Sequence, residues 1–188
     1  MSVHIARRSF TVDDYYRMAE AGILSENDRV ELLEGEVVEM SPIGSHHAAC
    51  VDRLNRLLNQ DGDLDLIVRV QNPIRLSEYS EPQPDVTLLR PRDDFYTEAH
   101  PNAADVLMVI KVADTSLEID RKVNLPLYTE TGIPEAVIIV LPEQIIELHA
   151  EPIAGQYQVV KTLRRGDYLE SESIPNLRLS IDAILGNR

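Results

Sequence analysis

A mixed α/β architecture is what this sequence predicts, and three observations predict it. Residues 106–112 and 136–141 are two apolar, largely β-branched runs. Strands without polar alternation are buried on both faces. The segment between them is long enough for a helix and closes at Gly132, which makes a βαβ unit with parallel strands. Beyond residue 144 the apolar residues alternate with polar ones, the mark of a β-rich C-terminal extension. The expected class is therefore a mixed sheet with flanking helices and that extension. A chain of 188 residues suits one domain, 1–188, large enough for a sizeable core. Residues 1–9 read as a flexible arm.

The elements follow in order. Thr11 precedes Val12, Asp13 and Asp14, so its hydroxyl can cap a helix whose first turn carries acids. That helix runs to about Ala21, and Gly22 stops it. Two short apolar runs within 30–40 flank Glu34 and Gly35, a hairpin pattern. Glu31 projects from its first strand and reads as solvated, the alternative being a cleft. Over 46–60, Val51, Leu54, Leu57 and Leu58 line one helix face with Cys50 on or near it. His46 and His47 start that helix. Adjacent helical residues point in different directions, so they read as surface or helix-start groups and not as a chelating pair.

Short strands are expected at 66–70 and 74–76, with Pro73 as the bend between them. Pro84 and Asp85 open a strand that reaches Leu89, and 91–105 is a polar loop. The crossover helix spans about 117–131, with Pro126 kinking it or marking a new first turn. Asp120, Asn124 and Tyr128, spaced by four, share one of its faces. Lys122 points elsewhere. Strands at 144–150 and 156–163, a turn at Gly166 and Asp167, and a short helix at 181–185 close the chain.

Composition narrows the function. The formal charge is −14, which opposes a phosphate backbone unless cations cluster; excess acid also keeps a protein soluble. Arg7–Arg8 and Arg164–Arg165 are adjacent pairs and not a basic stripe. Cys50 is the only cysteine, so an internal disulfide and a cysteine-based zinc cage are excluded. No apolar run approaches a membrane span, and the N-terminus lacks a secretory apolar region. A cytoplasmic protein without membrane contact is the expectation.

The odd residue is Lys111, inside the first apolar run. Alternation puts it opposite Ile110 and Val112. An ammonium there must reach an acid, line a cleft or snorkel to water at the strand end.

Three pieces then carry a resemblance: 30–36 (VELLEGE), 83–86 (QPDV), and Asp120-Arg121 followed by Leu125-Pro126-Leu127-Tyr128 and Gly132-Ile133-Pro134-Glu135. Their order and spacing over about residues 10–185 resemble the PD-(D/E)xK nuclease superfamily, in the Uma branch, whose members carry the label of restriction endonucleases. The resemblance implies a restriction-endonuclease-like fold; a homodimer is the expected assembly. It also implies a site in which an Asp after Pro and a Glu on the next strand hold Mg²⁺, while a helix lysine stabilises developing charge. DNA is the partner it implies, against the net charge.

Asp85 matches the first acid, and Glu31 matches a hairpin glutamate that would add a ligand if metal binds. The second acid falls at Lys111 and the family's lysine at Asn124. Three readings follow. In one, the site keeps its architecture without Mg²⁺ chemistry, with Lys111 paired to Asp85 and to Glu31. In another, a rearranged Mg²⁺-dependent endonuclease uses Asp85, Glu31 and either Asp114 or Asp120. In the third, the chain is a binding or regulatory module.

Overall fold

The computed structural model describes residues 8–25, 27–60 and 64–186. Helix α1 (Val12–Glu20) begins at a capping box: Thr11 Oγ1 accepts the Asp14 N–H, and the Asp14 carboxylate accepts the Thr11 N–H. Two orphan helix donors are thereby satisfied. The hairpin β1 (Val30–Leu33) and β2 (Glu36–Glu39) turns through Glu34 and Gly35, both at positive φ. Helix α2 (Ser45–Gln60) buries Cys50, Val51, Leu54 and Leu58 on the expected face.

The centre is a six-stranded sheet. It comprises β3 (Ile67–Val70), β4 (Val86–Leu89), β5 (Val106–Ala113), β6 (Glu135–Val140), β7 (Ile145–Ile153) and β8 (Gln156–Leu163), neighbours in that order. Only the β5–β6 pair is parallel, which is the predicted βαβ unit. One face, with Val86, Leu88, Met108, Ile110, Val112, Val137 and Ile139, packs against α2 and the closing helix α5 (Ile181–Leu185). The crossover covers the other face.

That crossover is not one regular helix. It is a turn of α3 (Leu117–Ile119), a π-helical stretch over Asp120–Asn124, and α4 (Leu125–Glu130) with Pro126 in its first turn. Proline is tolerated there because a first-turn N–H has no intrahelical partner. Arg121 on the π stretch makes an ion pair with Glu147 of β7, which His149 also approaches at 3.4 Å. This contact fixes the irregular turn to the sheet.

Three expectations change. Residues 74–76 form no strand; Arg75 makes only an isolated bridge to Asn102, and the backbone N–H groups of Ile74 and Arg75 go to Pro82 and Pro101 carbonyls in the loops. β7 does not alternate: it is buried on both faces through Ala150, because it lies inside the sheet between β6 and β8. A short pair, β9 (Tyr168–Glu170) and β10 (Arg178–Ser180), adds to the C-terminal extension. Of the expected arm, positions 1–7 lie outside the described residues, while Ser9 packs against Gly35. Among the described residues no helix is long and apolar enough to cross a membrane.

Gly35 is a sharp test of the hairpin that carries Glu31. Its φ is +80°, and a Cβ added there would lie 2.4 Å from Ser9 Cβ. Gly35→Ala should cost about 2 kcal/mol or more, from the left-handed backbone and the clash together. Denaturant melts should show that cost partly relieved when Ser9→Gly is added.

Candidate functional site

The site forms where β4 stops short of β5. The antiparallel register ends at Val86 opposite Ile110, but β5 continues to Ala113. The Val112 N–H on that side has no strand partner, and the Asp85 carboxylate takes its place, Oδ2 lying 2.7 Å away. Pro84 fixes the chain just ahead of Asp85, and the Asp85 carbonyl accepts the Gln71 N–H at 3.0 Å. Asp85 therefore acts as a piece of the sheet.

Its other oxygen meets α2. His47, in the first turn of that helix, places Nε2 2.9 Å from Asp85 Oδ1. His47 Nδ1 is buried without a hydrogen-bond partner. With Nε2 carrying the proton toward Asp85, Nδ1 is left as an acceptor, the less costly group to leave unpaired. His47 reads from the sequence as a surface or helix-start group; it does start the helix, but its side chain is turned in on Asp85 and not out to the surface, which makes it a member of the site. Its partner lies 38 positions along the chain, and no local spacing marks that meeting. His46 is exposed.

Lys111 points from β5 into the same cleft, its side chain 14% exposed. Nζ lies 3.8 Å from Asp120 Oδ1 and 3.5 Å from the Gln83 carbonyl oxygen. The expected direct contact with Asp85 is thus replaced by one with Asp120, since Asp85 is already held by His47 and Val112. Asp85 still acts on Lys111 through space. Burial pushes the Lys111 ammonium down, but Asp85, Asp120 and Glu31 outweigh it, and its pKa is raised. Burial likewise pushes Asp85 up, but His47, Lys111 and the Val112 N–H prevail, and its pKa is lowered.

Asp120 and Asn124 come from the crossover and are both buried. Asn124 Nδ2 donates to Asp120 Oδ1 at 2.9 Å, and Ser116 Oγ donates to Asp120 Oδ2 at 2.7 Å. Asn124 Oδ1 has no partner. Glu31, expected to be solvated, is 6% exposed. The hairpin tucks under the loop before β4, and the Gln83 N–H binds Glu31 Oε2 at 2.9 Å. Lys122 faces away, paired with Glu118 on an exposed helix face.

The structure thus brings Glu31, Asp85, Lys111, Asp120 and Asn124 to one cleft of about 190 Å³, with His47 added. Asp114 lies at the mouth and is exposed. Among the described residues no three His, Cys, Asp or Glu side chains are grouped to hold a metal ion.

Comparison with known proteins follows this geometry. A family model, Uma2, described as "Putative restriction endonuclease", matches residues 12–182. Among solved structures, the chain is similar to one titled a putative nuclease belonging to DUF820 from Anabaena variabilis ATCC 29413. The TM-score is 0.71 at 13% identity, over 94% of this chain and 97% of that one. At that identity the likeness speaks to the fold. No curated protein matches.

The charges here have a signed pH dependence. Asp85, with its pKa lowered in the fold, adds stability above the unfolded value of ~3.9, and that stability is lost as pH falls through the folded value. Asp85→Asn should flatten this acid limb in melts across pH 2–6. Asp85→Ala should cost about 3 kcal/mol at pH 7, because it leaves the Val112 N–H and His47 without their acceptor and removes one of the three carboxylates around Lys111, whereas Lys111→Met, which keeps the packed stem, should cost less. A neutral Asp85→Ala in denaturant melts would contradict the network.

Proposed function

Because this chain belongs to the Uma2 family, whose description is "Putative restriction endonuclease", we propose that it keeps the family's fold while its cleft has exchanged metal chemistry for a fixed ammonium. One observation carries the reading: Lys111 Nζ lies in the cleft beside Asp120, at the position where the resemblance implies a carboxylate. At about 4 Å and an effective dielectric near 20, a fixed cation opposes a metal by roughly 4 kcal/mol per unit of metal charge. Loss of the carboxylate ligand adds to that.

The remaining donors support the same reading. Both Asp85 oxygens and both Asp120 oxygens accept hydrogen bonds, and one Glu31 oxygen does. Mg²⁺ takes oxygen ligands in near-octahedral geometry, and these carboxylates are already committed elsewhere. The residues present do not fit a divalent ion. Asn124, moreover, has no charge with which to stabilise a departing or attacking oxygen. The protein proposed is a non-cleaving member of a nuclease-fold family, a reading that −14 net charge favours over tight DNA binding. The expected homodimer belongs to the same proposal; β8 is an exposed sheet edge with Val160 57% exposed, and sedimentation would test it.

Activity assays follow directly. Supercoiled DNA with Mg²⁺ or Mn²⁺ should show no nicking by the native chain above background. Lys111→Glu should restore metal binding by calorimetry but little nicking, and Asn124→Lys should do neither. The pair together should nick in Mn²⁺, and Asp85→Ala should abolish that nicking; groups acting as a unit are non-additive. Metal- and Asp85-dependent cleavage by the native chain would sink the reading and leave a rearranged site, with Glu31 the first residue to test.

A further inference from the structure

The central sheet ends in two different ways. β3 is four residues long and is tied to the loop after β4: Arg69 donates to the Phe95 carbonyl oxygen at 3.0 Å, and its guanidinium lies 5.5 Å from the Tyr96 ring centroid. β8 is eight residues long and pairs with β7 alone. Among the described residues no backbone N–H or carbonyl of β8 bonds outside the β7–β8 hairpin. Every second residue of β8 therefore turns a free donor and acceptor to solvent. Such edges are usually blunted by proline, bulges, shortness or charge. β8 has no proline or glycine, and Lys161 is its single charge. Its ladder with β7 is regular from Val159 to Leu163, and Val160, near the middle, is 57% exposed.

Charge bears on what can approach this edge. The chain has 32 acidic residues and a net charge of −14, yet none of the acids falls between positions 152 and 166. Elsewhere acids are frequent, and two copies brought together there oppose like charge. At β8 no carboxylate opposes a second copy. Only the cations Lys161 and, just beyond the strand, Arg164 have to be kept apart.

The strand does this in one register. In an antiparallel pair, opposed residues either both exchange hydrogen bonds or both do not. A two-fold axis between two β8 strands must therefore pass a residue that opposes itself. At Lys161 the axis would set two ammonium groups face to face, which is unfavourable. At Val159 it would leave Leu163 with no opposite residue in the strand. At Val160 it sets valine against valine, Lys161 against Val159 and Tyr157 against Leu163, with no like charges opposed.

We infer that two copies join through β8, antiparallel about a two-fold axis at Val160, so that two six-stranded sheets become one continuous sheet. The inference deepens the homodimer proposed above and rests on it. The contact is isologous and closes, because it consumes both open edges. β6 and β7 stand between β8 and the cleft beside β5, so each copy keeps its own complete cleft.

The native full chain should sediment as a dimer. Cys50 is the only cysteine and is buried, so Val160→Cys introduces a single accessible thiol. Opposed Cα atoms in an antiparallel pair are about 4.5–5.5 Å apart, within the span of a disulfide. Mild oxidation should therefore link V160C into a covalent dimer, whereas Ile153→Cys, on the same hairpin and 59% exposed, should stay unlinked. Val160→Lys sets two ammonium groups on the axis and should raise the dimer dissociation constant about tenfold or more. Its circular dichroism spectrum should remain native, since the site is exposed, and the outward amides of β8 should exchange hydrogen faster than in the native dimer. A native chain that stays monomeric would overturn both this inference and the homodimer. A dimer that Val160→Lys leaves intact and V160C does not cross-link would overturn this inference alone and place the homodimer contact on another face.

Discussion

A lysine on a buried strand must be surrounded by negative charge, and the site of this protein is arranged around that demand. β5 is apolar on both faces except at Lys111. Its ammonium cannot remain charged there without carboxylates. Glu31 from the hairpin, Asp85 from the end of β4 and Asp120 from the crossover answer it from three directions. The cost of removing one partner from such an arrangement exceeds the net worth of the whole. That asymmetry keeps the cluster together without requiring that it contribute much to folding.

The same groups hold the fold's irregular parts in register. Asp85 closes the end of the β4–β5 ladder and anchors the start of α2 through His47. Asp120 fixes the π stretch, receiving Ser116 from one side and Asn124 from the other. π-helical turns recur at functional sites because they re-aim side chains that a regular helix would spread. Here the turn buries Asp120 and Asn124 together against β5.

Much of this was legible in the sequence, for stated physical reasons. The two apolar runs, the Thr11 cap, the turn at Gly35 and the face shared by Asp120 and Asn124 are local patterns, and local patterns survive folding. Matching Lys111 and Asn124 to the second acid and the lysine of the resembled family rests on that resemblance and belongs to the proposal. What was not legible depends on distant packing. Glu31 looks solvated because alternation cannot tell which face of an isolated hairpin a loop will cover. His47 looks like a helix-start group because nothing near it foretells Asp85. The Lys111–Asp120 contact replaces Lys111–Asp85 because the ladder end had already claimed Asp85, a competition among backbone and side-chain donors. The strand expected at 74–76 failed because the neighbouring loop carbonyls at Pro82 and Pro101 took its N–H groups.

The central claim is that an ammonium holds the place of a metal. The most direct measurement is a crystal of the native chain soaked in Mn²⁺ at millimolar concentration and read by anomalous scattering. The account predicts no anomalous peak in the cleft, with the Lys111 amine still beside Asp120. A Mn²⁺ peak ligated by Asp85 and Glu31, with Lys111 swung out toward solvent, would contradict it.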